Sequence, residues 1–132
     1  RETIGLTGTK VACDHGACAC CTVLMEDKPI LSCMTLTVEC DGKKITTIEG
    51  LKNPDTDKFD PLQQAFIDLS AFQCGYCTPG MIMSAKALLL KNPTPTIEEI
   101  KEGLSGNFCR CISNYQVIDA IVTASNIGGG KE

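Results

Sequence analysis

Short apolar runs separated by polar turns fill the first half of the chain, and apolar residues at helical spacing fill the second. Thr22-Val23-Leu24-Met25 is an apolar run, Glu26-Asp27-Lys28-Pro29 is turn-like, and Ile30-Leu31-Ser32 resumes an extended pattern. Asp41-Gly42 is a hairpin signal, and the Lys43–Ile48 stretch after it is rich in β-branched residues. The polar, proline-bearing run Asn53-Pro54-Asp55-Thr56-Asp57-Lys58 marks a boundary.

Beyond it the period changes. Pro61 suits a first helical turn, and Leu62, Ala65, Phe66 and Leu69 follow at helical spacing. A second helix is predicted from Pro79 through Met81-Ile82 to Leu88-Leu89-Leu90, stopping before Asn92-Pro93. Thr96 can cap a third helix, with Glu99 closing a capping box and an end near Gly103 or Gly106. Ser113 or Asn114 can cap a fourth, which carries Val117, Ile118, Ile121 and Val122. The pattern predicts a β-rich domain over 1–53, a linker over 54–60, a helical domain over 61–127 and a flexible glycine tail over 128–132. Arg1–Leu6 reads as a helix end with its terminating glycine, so a preceding segment is expected.

Composition narrows the class. In 132 residues, 43% hydrophobic and 21% charged, the apolar content is enough for a core. A net charge of −4 speaks against nucleic acid, whose affinity comes from Lys and Arg on phosphates. No apolar stretch is long enough to insert in a membrane. Ten cysteines are the anomaly, and they fall in tight clusters, as metal ligands do. Neighbours such as Cys20 and Cys21 rarely bridge, because disulfide geometry is narrow.

Cys13, Cys18 and Cys21 are spaced C-x4-C-x2-C, and Cys33 follows after a hairpin. This is the plant-type [2Fe–2S] spacing: three thiolates wrap the cluster on one loop and a fourth closes it. Small residues Gly16, Ala17 and Ala19 let backbone N–H groups approach the sulfurs. Cys20 competes with Cys21 for the ligand role. Zinc prefers pairs of C-x2-C type, which this loop lacks. A second group joins Cys74-Gly75-Tyr76-Cys77 to Cys109-Arg110-Cys111, each pair at a predicted helix N-terminus, where thiolates are favoured. On spacing alone, zinc competes here, and a C-x-x-C thiol redox site leaves the C-x-C pair unexplained.

Several motifs carry a resemblance. They are Gly5-Leu6-Thr7-Gly8-Thr9-Lys10, Cys21-Thr22-Val23-Leu24, Ile30-Leu31-Ser32-Cys33, the run from Gln73 to Met81, and Gly106-Asn107-Phe108-Cys109-Arg110-Cys111. Over essentially its whole length, the chain resembles the small iron–sulfur subunit of the xanthine oxidase family of molybdenum hydroxylases. That family includes aldehyde oxidoreductases, aerobic-type carbon monoxide dehydrogenases and 4-hydroxybenzoyl-CoA reductase. The resemblance implies an α+β fold: an N-terminal β-grasp, plant-type ferredoxin domain, here without the hairpin that usually begins it, then a four-helix domain. It implies a second [2Fe–2S] cluster on Cys74, Cys77, Cys109 and Cys111. It also implies a large molybdopterin-binding partner subunit, with Gln73 and Cys111 against the pterin, and an FAD-binding medium subunit. The role implied is cytoplasmic electron transfer by a redox subunit without catalytic residues of its own. The helical-domain cluster would lie nearer molybdenum, and the other would pass electrons to flavin or an external acceptor. A free-standing two-cluster ferredoxin and a zinc-binding interaction module are the alternatives.

The chain departs from the family pattern twice. Ala19-Cys20 stand where Gly and Ala are usual, and Ala19 resists a positive φ, so a different loop is expected there. One extra residue follows Cys111, in Ile112-Ser113-Asn114-Tyr115. Elsewhere bland readings prevail. His15 is a solvated loop residue, Cys40 a core or strand thiol, Met81 and Met83 are packing residues, and Glu98 and Glu99 belong to a helix N-terminus. Arg110 either offsets cluster charge, meets a partner, or forms a structural salt bridge.

Overall fold

The computed structural model describes residues 1–128. The expected tail at 128–132 falls outside them except for Gly128, the last residue of the final helix. Strands β1 (Thr22–Met25) and β2 (Lys28–Leu31) form an antiparallel hairpin with Thr22 opposite Leu31 and Met25 opposite Lys28. Its turn is only Glu26-Asp27, both at positive φ (50° and 62°), which matches the right-handed twist of the strands. Lys28 and Pro29 thus belong to β2, not to the turn. Pro29 is tolerated because β2 is an edge strand in the order β2-β1-β3.

The Asp41-Gly42 signal gives a turn without a hairpin. The chain before it makes 3-10 turns at Ser32–Met34 and Thr37–Cys40, and the Lys43 N–H closes on the Cys40 carbonyl at 3.0 Å. Strand β3 is only Ile45–Thr46, paired antiparallel with Leu24 and Met25 of β1, and another 3-10 turn occupies Ile48–Leu51. β-branched residues favour extended backbone only where a partner strand supplies the ladder, and here two residues have one.

Four helices follow: α1 (Pro61–Asp68), α2 (Thr78–Lys91), α3 (Ile97–Gly103) and α4 (Asn114–Gly128). Asp60 caps α1 by accepting from the Leu62 N–H at 2.9 Å, and Gln63 reaches back to the Asp60 N–H at 3.1 Å. The Lys86 ammonium of α2 lies 2.6 Å from Asp60, tying the two helices. Thr96 and Glu99 form the expected capping box on α3. Leu62, Phe66, Ile100, Val117 and Ile121 are almost wholly buried in one core. Each such side chain contributes about 1.5–3 kcal/mol by leaving water.

The sheet does not stand apart. Leu24 packs with Met83 and Ala87 of α2, so β1 and α2 share a second, smaller core. Met81 and Met83 are buried packing residues, as expected. Cys40 is a correction: it sits half-buried in a 3-10 turn, its Sγ 3.8 Å from the Leu36 carbonyl, outside both cores and every strand.

Candidate metal centres

The loop from Cys13 to Cys21 is tightly coiled. Asp14, Gly16 and Ala19 all take positive φ, at 56°, 79° and 56°. Ala19 therefore keeps the conformation a glycine would take, where a different loop had been expected. Its Cβ costs about 1 kcal/mol in that region. Neighbouring bonds hold it there: the Thr22 hydroxyl and N–H both donate to the Ala19 carbonyl, at 2.8 and 3.2 Å. Ser32 fastens the loop exit by donating its hydroxyl to the Cys21 carbonyl at 2.8 Å.

The thiols of this loop come together in pairs. Cys13 lies against Cys18, and Cys33 against Cys21. The Ala17 N–H donates to the Cys13 Sγ at 3.3 Å. The N–H of His15, then the Cys18 thiol, hold the Cys13 thiol down at about 6, within reach of a thiolate at neutral pH. Burial pushes the Cys33 thiol up, and its neighbour Cys21 adds to this. Cys20 takes a different course from Cys21. It is buried with Cys77 and Met81 in the helical core, where burial, reinforced by Cys18, pushes its thiol up to about 12.

The second quartet is gathered from two loops of the helical half. Cys74 Sγ lies 3.3 Å from Cys111 Sγ, and Cys77 lies against Cys109. Cys109 Sγ accepts from the N–H groups of Cys111 and Ile112, both at 3.4 Å, and is 4.0 Å from Cys111 Sγ. The Tyr76 N–H, then the Cys111 thiol, hold Cys74 below its ordinary value, whereas burial pushes Cys77 up to about 12. The quartet thus has an outer pair, with Cys74 exposed and Cys111 half-buried, and an inner pair facing the core. Gln73, at the rim, is exposed. The Thr78 hydroxyl, one residue past Cys77, is buried with no partner among the described residues.

The donor chemistry fits two-iron clusters. Each set offers four thiols arranged two and two, with backbone N–H groups on the sulfurs, as four-thiolate [2Fe–2S] ligation requires.

The two loops touch. The Phe108 N–H, one residue before Cys109, donates to the Cys18 carbonyl at 3.1 Å. The Asn107 amide donates to the Ala19 carbonyl at 3.4 Å, and the Tyr76 hydroxyl to the Val11 carbonyl at 2.5 Å. None of these ties is readable from the cysteine spacing. The one signal is Gly80, a glycine inside a helical turn, which costs about 1 kcal/mol against alanine and so marks a close approach. His15 is exposed, its Nδ1 2.6 Å from the Cys13 carbonyl. Arg110 is exposed and takes part in no ion pair among the described residues.

Known proteins share this arrangement. Residues 47–122 match the [2Fe-2S] binding domain family. The chain is 45% identical over 131 residues to the nicotine 6-hydroxylase small subunit of Paenarthrobacter nicotinovorans, covering 99% of this chain and 78% of that one. Quinoline 2-oxidoreductase from Pseudomonas putida 86 superposes with a TM-score of 0.89 at 42% identity, covering all of this chain and 82% of that one. Aldehyde oxidoreductase from Desulfovibrio gigas gives a TM-score of 0.92 at 38% identity, where this chain spans 15% of a much longer one. The small sheet and four helices match its iron–sulfur part. Fold and thiols together define an α+β [2Fe–2S]-binding protein of oxidoreductase type. Within that class, the chain belongs to the small iron–sulfur subunits of the xanthine oxidase family of molybdenum hydroxylases.

Proposed function

We propose that this chain relays electrons through two [2Fe–2S] clusters within a molybdenum hydroxylase complex. Cys13, Cys18, Cys21 and Cys33 hold the first, in a β-grasp, plant-type ferredoxin domain over residues 1–53. Cys74, Cys77, Cys109 and Cys111 hold the second, in the helical domain over 61–127. The observation that carries this reading is two thiol quartets, each closed as two pairs, on loops joined by the hydrogen bond from Phe108 to Cys18. When bound, the clusters supply one-electron storage. The protein's part is to position them, to aim N–H groups at their sulfurs and to set how much water reaches each.

The outer pair, Cys74 and Cys111, with Gln73 beside it, is the face offered to a large molybdopterin-binding subunit. Phe72, Tyr76, Phe108 and Tyr115 flank the quartet in sequence and are 41–80% exposed, an apolar rim of the kind that marks a subunit contact. That rim favours a complex over a free-standing carrier. The first quartet is the exit toward an FAD-binding subunit or an external acceptor. No described helix is long and apolar enough to cross a membrane.

Low-temperature EPR of the dithionite-reduced protein, with spins quantified per chain and iron, sulfide and zinc assayed, tests the reading. Two distinct [2Fe–2S] signals near one spin each are expected. No signal, with zinc bound instead, overturns it.

A further inference from the structure

One of the contacts between the two thiol-bearing halves is made by a residue with no side chain. Gly80 stands in the first turn of α2, three residues beyond Cys77, and is buried. A Cβ built on it falls 2.3 Å from the Ala19 carbonyl oxygen and 3.0 Å from both the Cα and the carbonyl oxygen of Cys20. These are backbone atoms, so they cannot swing aside as a long side chain would. The Ala19 carbonyl is held in place by the Thr22 hydroxyl, and the Asn107 amide donates to it as well. Alanine would be the better residue here for the helix alone, by about 1 kcal/mol. The glycine is therefore explained by the approach and not by α2.

We infer that Gly80, with Asn107 on the same carbonyl, sets the distance between the two clusters and hence the rate of electron exchange between them. The inference rests on the two-cluster reading above. A one-electron exchange between fixed sites makes and breaks no bond, so separation and the intervening contacts govern its rate. Tunnelling falls exponentially with distance, so even a small increase in separation slows it. Moving from 2.3 Å to the 3.4 Å of ordinary contact requires the helix and the loop to part by about 1 Å. Gly80 and Asn107 are positioning residues: neither supplies a thiol, and the ligands on each side remain intact when either is changed.

The test uses the protein as isolated with any copurifying subunits, fully reduced, at temperatures where each cluster contributes one unpaired spin. Magnetic coupling between two such spins splits their EPR signals and weakens steeply with distance. In Gly80→Ala both signals should persist at unchanged intensity, their mutual splitting should shrink, and exchange after flash or rapid-mix reduction should slow. Asn107→Ala should shift the splitting the same way by less. An unchanged splitting in a folded, doubly loaded Gly80→Ala protein overturns the inference. Should Gly80→Ala fail to fold, an unchanged splitting in Asn107→Ala overturns it. Absence of a second cluster signal in the unaltered protein sinks the two-cluster reading instead, so the two failures are distinguishable.

Discussion

The two thiol quartets are built in opposite ways. The first lies within 21 residues, Cys13 to Cys33, on a loop coiled through three positive-φ positions and fastened by its own hairpin. The second joins Cys74 and Cys77 to Cys109 and Cys111, and only the packing of the helices brings those segments together. A local loop holds its ligands through short-range hydrogen bonds, whereas a tertiary site inherits the stability of the core around it. The first site should therefore tolerate damage to the bundle that the second does not.

The largest expected effect comes from removing a ligand. Cys109→Ser should abolish one [2Fe–2S] EPR signal and leave the other, and Cys33→Ser should remove the complementary one. Loss of both signals in either variant would show that the quartets assemble together, and the contrast would fall. Next comes Ile121→Ala. Ile121 is fully buried in the core, and truncation should cost about 2–5 kcal/mol. Followed by EPR along a urea titration, the signal from the Cys74–Cys111 site should vanish at a lower concentration than that from the Cys13–Cys33 site. Simultaneous loss of both would mean one cooperative unit.

A smaller effect is expected at Ala19. Ala19→Gly removes about 1 kcal/mol of left-handed strain and returns roughly 0.5 kcal/mol through a freer unfolded chain. The midpoint for loss of the first signal should rise slightly and that of the second stay put. A fall would show that the alanine is favourable in this loop. The smallest effect concerns Glu49, whose carboxylate accepts from the Gly8 N–H at 2.7 Å and the Thr47 hydroxyl at 2.7 Å. Burial opposes its ionisation, yet the Thr47 hydroxyl and backbone N–H groups hold its pKa below the ordinary 4.5. A lowered folded value means the tie is intact above pH 4.5 and is lost as pH falls through the folded value. Amide exchange at Gly8, corrected for intrinsic rate, should therefore stay slow through pH 4.5 and quicken only as pH falls through the lower folded value, with Glu49→Gln quick throughout.

Much was legible in the chain itself. The four helices were marked by local chemistry: Pro61 in a first turn, Asn92-Pro93 as a stop, Thr96 with Glu99, and Ser113 or Asn114 before the last. Those signals act within a turn or two, and no distant partner can overrule them cheaply. The candidate thiols were legible for the same reason, since metal-ligand spacing is a local property of the chain. The β-rich half was read less well. Lys43–Ile48 has strand composition but only Ile45–Thr46 finds a partner, because ladder hydrogen bonds come from elsewhere in the fold.

What the sequence by itself determined is which residues could cap, turn and ligate. What only the tertiary structure decided is which of them meet. Spacing favours Cys21 as the ligand and leaves Cys20 as its competitor, and the fold parts the two: Cys21 turns to Cys33 while Cys20 turns into the helical core. Ala19 was expected to refuse a positive φ, yet it is held at 56° by bonds from Thr22. The contact of Gly80 with the Ala19 carbonyl joins positions about sixty residues apart. Close packing is a property of the assembled interior, and no spacing along the chain encodes the distance between two backbones that approach only after folding.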